Sequence, residues 1–293
     1  MISYQHCPLC NSNDIVEVLT AIDYTVSQEK FSIWQCNACS LRFTQSVPDA
    51  NGIGKYYQSI DYISHSDTTK GMVNSLYHLV RNFTLQQKKK LVIKKSGISA
   101  GALLDVGCGT GAFLSVMKEA GWNVKGLEPD EKARGLARQK GLDVEDASTL
   151  FSLSASSFNA ITLWHVLEHV HELHQYMDQL RKLLRPGGVL FIAVPNYTSG
   201  DAAHYSSSWA AYDVPRHLYH FSPASMQKLL SLHQMKAIDM LPMWFDSFYV
   251  SMLSEKYRGG NIISAFLQGS NSNFRAAGNH QRCSSVIYVI KAD

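Results

Sequence analysis

Four cysteines come first along the chain, Cys7 with Cys10 and Cys36 with Cys39, each pair enclosing two residues and the pairs enclosing 25. Two residues between thiolates let one tight turn aim both sulfurs at the same tetrahedral ion. The spacing therefore predicts a zinc ribbon whose four protein ligands leave no open position, which makes the metal structural. A second group lies in Leu103-Leu104-Asp105-Val106-Gly107-Cys108-Gly109-Thr110-Gly111. Three alternating glycines permit torsions closed to other residues and let a ligand approach the main chain closely. Asp105 just before them is a poor neighbour for a pyrophosphate and suits a ligand with a cationic or hydroxyl-rich face. A third concentration runs from Asp213 to Phe221 and holds Arg216, His217 and His220. Imidazole is the side chain that takes a proton near neutrality, and a guanidinium holds an anionic or oxyanion group.

These residues need elements to position them. The glycine run reads as a buried strand, a turn and the start of a helix, and it also satisfies the loose dinucleotide pattern through Gly107, Gly109 and Ala112. Asn123 to Glu128 is a second strand ending in an acid, 17 residues after Gly111. Asp130, after Pro129, caps a helix over 131–140. A third strand over 142–145 is closed by Asp146 and Ala147. A fourth, Phe158 to Trp164, leads into His165. His165 and His169 are four apart, but without a third ligand this is a pocket wall or helix cap rather than a metal site. A helix over 171–185 stops at Arg185-Pro186-Gly187-Gly188 before a fifth strand. Ser222 and Pro223 start another helix, and residues 235–240 a sixth strand. Residues 248–257 are helical, 269–281 read as a polar mobile loop, and 284–290 alternate as a last strand. Before the glycine run, Tyr56, Tyr57 and Tyr62 are candidate lid residues. A helix over 76–95 then turns Lys88, Lys89, Lys90, Lys94 and Lys95 to solvent.

The segment around Asp105 closely resembles motif I of class I S-adenosylmethionine-dependent methyltransferases, and the likeness extends from roughly residue 100 to 195. It implies an α/β fold, a doubly wound Rossmann-like sheet of seven strands with an antiparallel last strand, joined to the small N-terminal zinc ribbon. The implied organisation is a ribbon at 1–47, a helical lid or linker at 48–100, and the methyltransferase domain at 101–293 with substrate-side insertions at 196–222 and 245–283. The resemblance also implies that Asp105, Gly107, Cys108, Gly109, Gly111, Glu128, Pro129, Asp146, Ala147, Trp164 and His165 bind the cofactor. Glu128 takes the ribose hydroxyls, Asp146 the adenine amino group, and Trp164 and His165 the methionine side. Asn159 stands where the family commonly has aspartate. Asp213-x-Pro215-Arg216-His217-Leu218-x-His220-Phe221 is similar to a motif of members acting at oxygen or carbon of quinol-like or sugar-nucleotide substrates, some of which carry the same cysteine module. On that analogy His217 or His220 is the base and Arg216 the anion holder.

Composition bounds the alternatives. The chain has 293 residues, 45% apolar and 17% charged, and a formal net charge of +3. That charge is too small to argue for nucleic acid, so a ribbon-recruited RNA methyltransferase is the second reading. A nicotinamide oxidoreductase is disfavoured by Asp105, and a non-catalytic zinc-ribbon binder by the three acids at successive loops. No apolar run approaches the ~20 residues that cross a bilayer. With no secretion-like N-terminus, the expectation is a cytoplasmic enzyme that uses S-adenosylmethionine and structural zinc on a small-molecule acceptor, without a membrane partner.

Overall fold

Alternating apolar residues near the N-terminus pair into a hairpin. Strand β1 (Ile15–Ile22) runs antiparallel to β2 (Lys30–Cys36), with Ile15 opposite Cys36 and Ile22 opposite Lys30. Strand β3 (Arg42–Thr44) adds to β2, and a short strand from far along the chain, β9 (Tyr219–His220), adds to β3. The computed structural model describes residues 1–58 and 72–292, with the backbone alone for 72–79. Tyr62 lies outside the described residues.

The chain divides into two compact units that interleave in sequence. The first holds the described residues of Met1–Ser64, Leu167–His174 and Ala193–Tyr288. Its apolar core brings Phe31 and Ile33 of β2 together with Tyr205, Trp209, Tyr212 and Val214. Its helices are α5 (Gly200–Tyr205), α6 (Pro223–Leu232), α7 (Asp246–Arg258) and α8 (Ile262–Ala276). Ser222 caps α6 in a reciprocal box with Ser225, and Gly259 ends α7 in the left-handed conformation at φ 71°. Asn261 then caps α8 by accepting from the Ile263 and Ser264 amides, both at 3.0 Å. Most of the stretch expected as a mobile loop, 269–281, is thus helix. Its buried positions are small (Ala265, Gly269, Ser272, Ala276), so a search for large apolar residues on an inward face misses it.

The second unit holds the described residues of His65–Val166, Gln175–Ile192 and Val289–Asp293. Strands β4 (Ala102–Val106), β5 (Asn123–Leu127), β6 (Val144–Glu145) and β7 (Phe158–Trp164) are parallel, with Asp105 level with Gly126 and Thr162. Strand β4, with four buried residues, lies between β5 and β7, as a parallel strand covered on both faces does. Around these strands lie α1 (Met72–Ser96), α2 (Ala112–Glu119), α3 (Glu131–Gln139) and α4 (Leu173–Leu183), the last beginning in the first unit. With β8 (Leu184–Pro195), β10 (Met235–Pro242) and β11 (Ser285–Ala292) the sheet has seven strands in the order β10-β11-β8-β7-β4-β5-β6 and an antiparallel last strand. Asn159, the departure from the family pattern, accepts from the Ala102 amide at 3.0 Å and from Arg185 at 3.2 Å. The amide side chain ties the starts of β4 and β7 without a charge. Among the described residues no helix is long and apolar enough to cross a membrane.

Candidate functional site

In the second unit the three glycines have different reasons to be glycine. A Cβ on Gly107 would sit 2.4 Å from Val166 Cγ2, and one on Gly111 2.3 Å from Leu142 Cδ1, so both are set by packing and by positive φ. Gly109, at φ +55°, has nothing within 4 Å of where its Cβ would be. The turn is tight on the protein side and clear at its middle, the arrangement that lets a ligand lie against the backbone.

Two acids face this turn. Glu128, buried at the end of β5, accepts from the Gly109 amide through Oε2 at 2.8 Å and from the Asp130 amide through Oε1 at 3.0 Å. Burial raises its carboxyl above the usual range against those two amides. Each oxygen retains a lone pair, so two adjacent hydroxyls can still donate to it. Asp105, fully enclosed, accepts from the Thr162 hydroxyl at 2.6 Å, and burial pushes its carboxyl up to about 7. A carboxyl in that state gains most from a cation arriving beside it.

Asp146 is more open. It accepts from the Ser148 amide at 3.0 Å and from the Ser148 hydroxyl at 2.7 Å, and these bonds with Arg134 hold its carboxyl below the usual range. Ala147 begins the short 3-10 turn that Asp146 caps. Arg134 reaches the Glu128 and Pro129 carbonyls, both at 2.6 Å, and the Asp146 carboxylate at 2.8 Å. It locks the two acidic loops together, a role its place inside a helical pattern does not announce. At the end of β7, the Trp164 ring meets the edge of Phe113 at 5.6 Å and carries the Lys88 ammonium 4.3 Å from its centroid. Lys88 therefore leaves the solvated face expected for it. The Trp164 indole N–H is buried without a hydrogen-bond partner among the described residues, and His165 follows at φ 59°. Burial pushes the Cys108 thiol up, so this cysteine is an uncharged wall beside the turn.

The first unit holds the other residues singled out by chemistry. Cys7 Sγ lies 3.5 Å from Cys39 Sγ and Cys10 Sγ 3.6 Å from Cys36 Sγ, and the four converge as one group. Bonds of about 2.3 Å to one tetrahedral zinc give sulfur–sulfur edges of roughly 3.8 Å, so the spread fits that ion. Both knuckles have the same turn. The Asn11 amide donates to the Cys7 carbonyl, the Ser40 amide to the Cys36 carbonyl, and both donors have positive φ.

Arg216 is 1% exposed. Its Nε and Nη2 donate to Asp213 at 3.0 and 2.7 Å, Nη2 also to Asp23 at 2.9 Å, and Nη1 to the Tyr56 carbonyl at 2.7 Å. Four of its contacts are thus made inside the unit. Asp23 caps the β1–β2 turn, accepting from Thr25, Val26 and Ser27 amides. His220 is buried on β9, its Nε2 3.0 Å from the Thr44 hydroxyl, and burial drives its pKa well below the ordinary value. The same hydroxyl donates to the His217 carbonyl at 2.7 Å.

His217 differs. Its Nδ1 lies 2.8 Å from the Ala211 carbonyl, which can only accept, so Nδ1 carries a proton, and in the neutral ring the lone pair is on Nε2. Asp213 Oδ2 is 4.0 Å from that Nε2. Glu168 and His169, which the sequence reading passed over as catalytic groups, join it: one ligand-capable atom from each of Glu168, His169 and His217 lies within 4.8 Å of the others. His169 Nδ1 is 3.0 Å from the Arg216 carbonyl and 3.1 Å from the Tyr57 hydroxyl. Burial, with His217 beside it, lowers its pKa to about 4. Tyr56, the other lid candidate, is enclosed and donates to Glu29 at 2.6 Å.

A family model described as "Methyltransferase domain" matches residues 79–238. The ubiquinone biosynthesis O-methyltransferase of Actinobacillus pleuropneumoniae serotype 7 is 34% identical over 117 residues, 36% of this chain and 50% of that protein. The enzyme of the same name from Sinorhizobium fredii is 31% identical over 159 residues, 49% of this chain and 63% of that one. The chain thus spans about half the length of the first curated relatives it matches. A crystal structure of a SAM-dependent methyltransferase from Archaeoglobus fulgidus aligns at TM-score 0.48 and 18% identity, over 72% of this chain and 93% of that one.

Proposed function

The chain belongs to the methyltransferase domain family, and from that premise we propose that it moves a methyl group from S-adenosylmethionine to an oxygen of a hydroxylated small molecule. The observation that carries this reading is the cleared backbone at Gly109 with the Glu128 carboxylate bonded to its amide. Glu128 would hold the ribose hydroxyls, Asp146 and Ala147 the adenine edge, and Gly107 to Gly111 the backbone of the cradle. Asp105, Lys88 and the unsatisfied Trp164 N–H suit the ammonium and carboxylate of an amino-acid end. When bound, S-adenosylmethionine supplies a methyl on a cationic sulfur that leaves as a neutral thioether.

What remains for the protein is to orient the acceptor and remove its proton. We assign that proton to His217 Nε2, because the Ala211 carbonyl fixes the tautomer and Asp213 stands ready to steady the imidazolium. Arg216 and His220, equally candidates from sequence, act in this reading by holding the 213–221 segment in place. The four cysteines bind one structural zinc. Relatives bearing a ubiquinone-biosynthesis name favour an aromatic hydroxyl as acceptor.

Calorimetry checks the cofactor half. S-adenosylmethionine and S-adenosylhomocysteine should bind and NAD should not, and Glu128→Ala should weaken both by about 100-fold or more, two charge-assisted hydrogen bonds being lost. Binding of NAD alone would overturn the reading. Transfer of labelled methyl to a panel of catechols and hydroxybenzoates checks the other half. His217→Gln should lower kcat by about 100-fold or more with S-adenosylhomocysteine affinity and urea midpoint unchanged. Full turnover in that variant would remove His217 as base.

A further inference from the structure

Helix α8 is built inside out. Its buried positions are Ala265, Gly269, Ser272 and Ala276. The large apolar residues face away: Ile262 is 71% exposed, Ile263 70%, Phe266 63%, Leu267 61% and Phe274 81%. At 100° per residue these five fall within a sector of about 140°. Its neighbour repeats the pattern. In α7 the buried positions are Ser247, Val250, Ser251 and Ser254, while Tyr249 and Met252, with Phe245 just before the helix, are exposed. The two helices meet through stacked Phe248 and Phe266 rings, centroids 5.3 Å apart. Gly269 lets them approach, since a Cβ there would lie 2.8 Å from the Phe248 ring. A packed hairpin thus turns its smallest residues inward and offers large apolar ones, whereas an ordinary surface helix does the opposite.

Charge says what meets this face. From Lys256 to Ala292 the chain has no aspartate or glutamate, but it has Lys256, Arg258, Arg275, Arg282 and Lys291. The first four of these are exposed, the Arg258 guanidinium also lying 5.6 Å from the centroid of the Tyr205 ring. Asp293 follows directly in sequence; of the nearest acids before the stretch, Asp246 and Glu255 are half-buried, and Glu255 accepts from the Tyr205 hydroxyl at 3.1 Å. A second copy is a poor occupant, because a two-fold interface would set these cations against themselves. We propose that α7 and α8 form a docking face for an anionic lipid surface, Phe266, Leu267 and their neighbours entering the headgroup boundary and the four cations pairing with lipid phosphates. The length rule that excludes a membrane span does not touch this mode, so the expectation of no membrane partner gives way here to a peripheral one. Residues 244–292 lie beyond the 79–238 matched by the family model, and the face is independent of which acceptor is methylated.

The test is flotation of the full chain with vesicles of phosphatidylcholine alone or mixed with phosphatidylglycerol. The bound fraction should be roughly tenfold higher with the anionic lipid and should fall with added salt. Phe266→Ser with Leu267→Ser should lower binding roughly tenfold or more. Arg258→Gln with Arg275→Gln should abolish the preference for phosphatidylglycerol. S-adenosylhomocysteine affinity should stay unchanged in both, which separates a lost surface from a lost fold. Trp244, 37% exposed at the edge of this face, should blue-shift with vesicles, and Trp244→Phe should remove that shift. Equal flotation of wild type and the serine variant overturns the proposal. So does absence of flotation, alone or with concentration-dependent dimers in sedimentation.

Discussion

Arg216→Leu should lower the stability of the protein by about 3–5 kcal/mol, read as a drop in the urea midpoint, because it strands two carboxylates whose cation is gone. Asp23 and the Arg216 side chain are essentially inaccessible, and Asp213 is only partly open. Burial opposes the charge on Asp23, but the Ser27 amide and Arg216 more than offset it and hold its carboxyl below the usual range. Burial likewise opposes Asp213, and Arg216, with the nearby imidazoles, pulls it below that range. Both groups have folded pKa values beneath their unfolded ones near 4. In the wild type their contribution is therefore complete above about pH 4 and is lost as pH falls through the folded values. In the leucine variant the half-buried Asp213 keeps its desolvation without its partner, so its folded value rises above the unfolded one. The sign then reverses, and the variant should gain stability between neutrality and about pH 5, where the wild type changes little. Arg216→Lys keeps a charge but loses the fork that bonds Asp213 twice, and should fall between the two. An unchanged midpoint for Arg216→Leu, with the same pH profile as wild type, would mean that the network contributes nothing.

That network also explains which parts of the site could be read from the chain. The βα units at 101–195 are local: strand, glycine turn and helix follow one another, and each acid lies at its own strand end. That Asp105, Glu128 and Asp146 stand at successive strand ends is accordingly legible from spacing, while the roles expected of them come from the family resemblance alone. The cysteine knuckles are legible for the same reason, two residues fixing one turn. The 213–221 segment is different. Its concentration of imidazoles, rings and an arginine marks it as chemical, yet Tyr219 and His220 form a strand whose partners, Phe43 and Arg42, lie more than 170 residues earlier. Nothing near them in sequence reports that Arg216 belongs to Asp23 or His220 to Thr44. The helix at 262–276 was hidden by another route. Periodicity assigns large apolar residues to the inside, and here the inward stripe is alanine, glycine and serine. Lys88 shows the same limit in miniature, since a lysine run looks solvated until one member finds an aromatic face.

Removing the metal should have the largest consequence, and its reach follows from β9. Structural zinc bound by four thiolates is worth about 10–16 kcal/mol in small zinc modules, more than the whole stability of a typical domain. Here the ribbon is not a separable appendage. Its sheet continues β1-β2-β3-β9, so the strand carrying His220 and the turn carrying Arg216 and His217 are laid on it. The His174 ring, 3.1 Å from the Pro8 carbonyl of the first knuckle and 2.9 Å from His233, ties the knuckle to the helix after β9 as well. Metal analysis of the purified protein should return about one zinc per chain. A strong chelator, or Cys36→Ser with Cys39→Ser, should then abolish methyl transfer and expose the 31–44 and 213–221 segments together to amide exchange. The parallel strands β4, β5 and β7 draw their hydrogen bonds from each other, so their amides should keep their protection and S-adenosylhomocysteine should still bind the chelated protein. Exchange that rises in 31–44 alone, with turnover intact, would show the ribbon to be independent of the acceptor side. A metal-free protein with full protection and activity would dismiss the zinc altogether. The ribbon's physical purpose, on this account, is to supply the three strands on which β9 pairs, and so to hold the segment that carries His217, proposed above as the base.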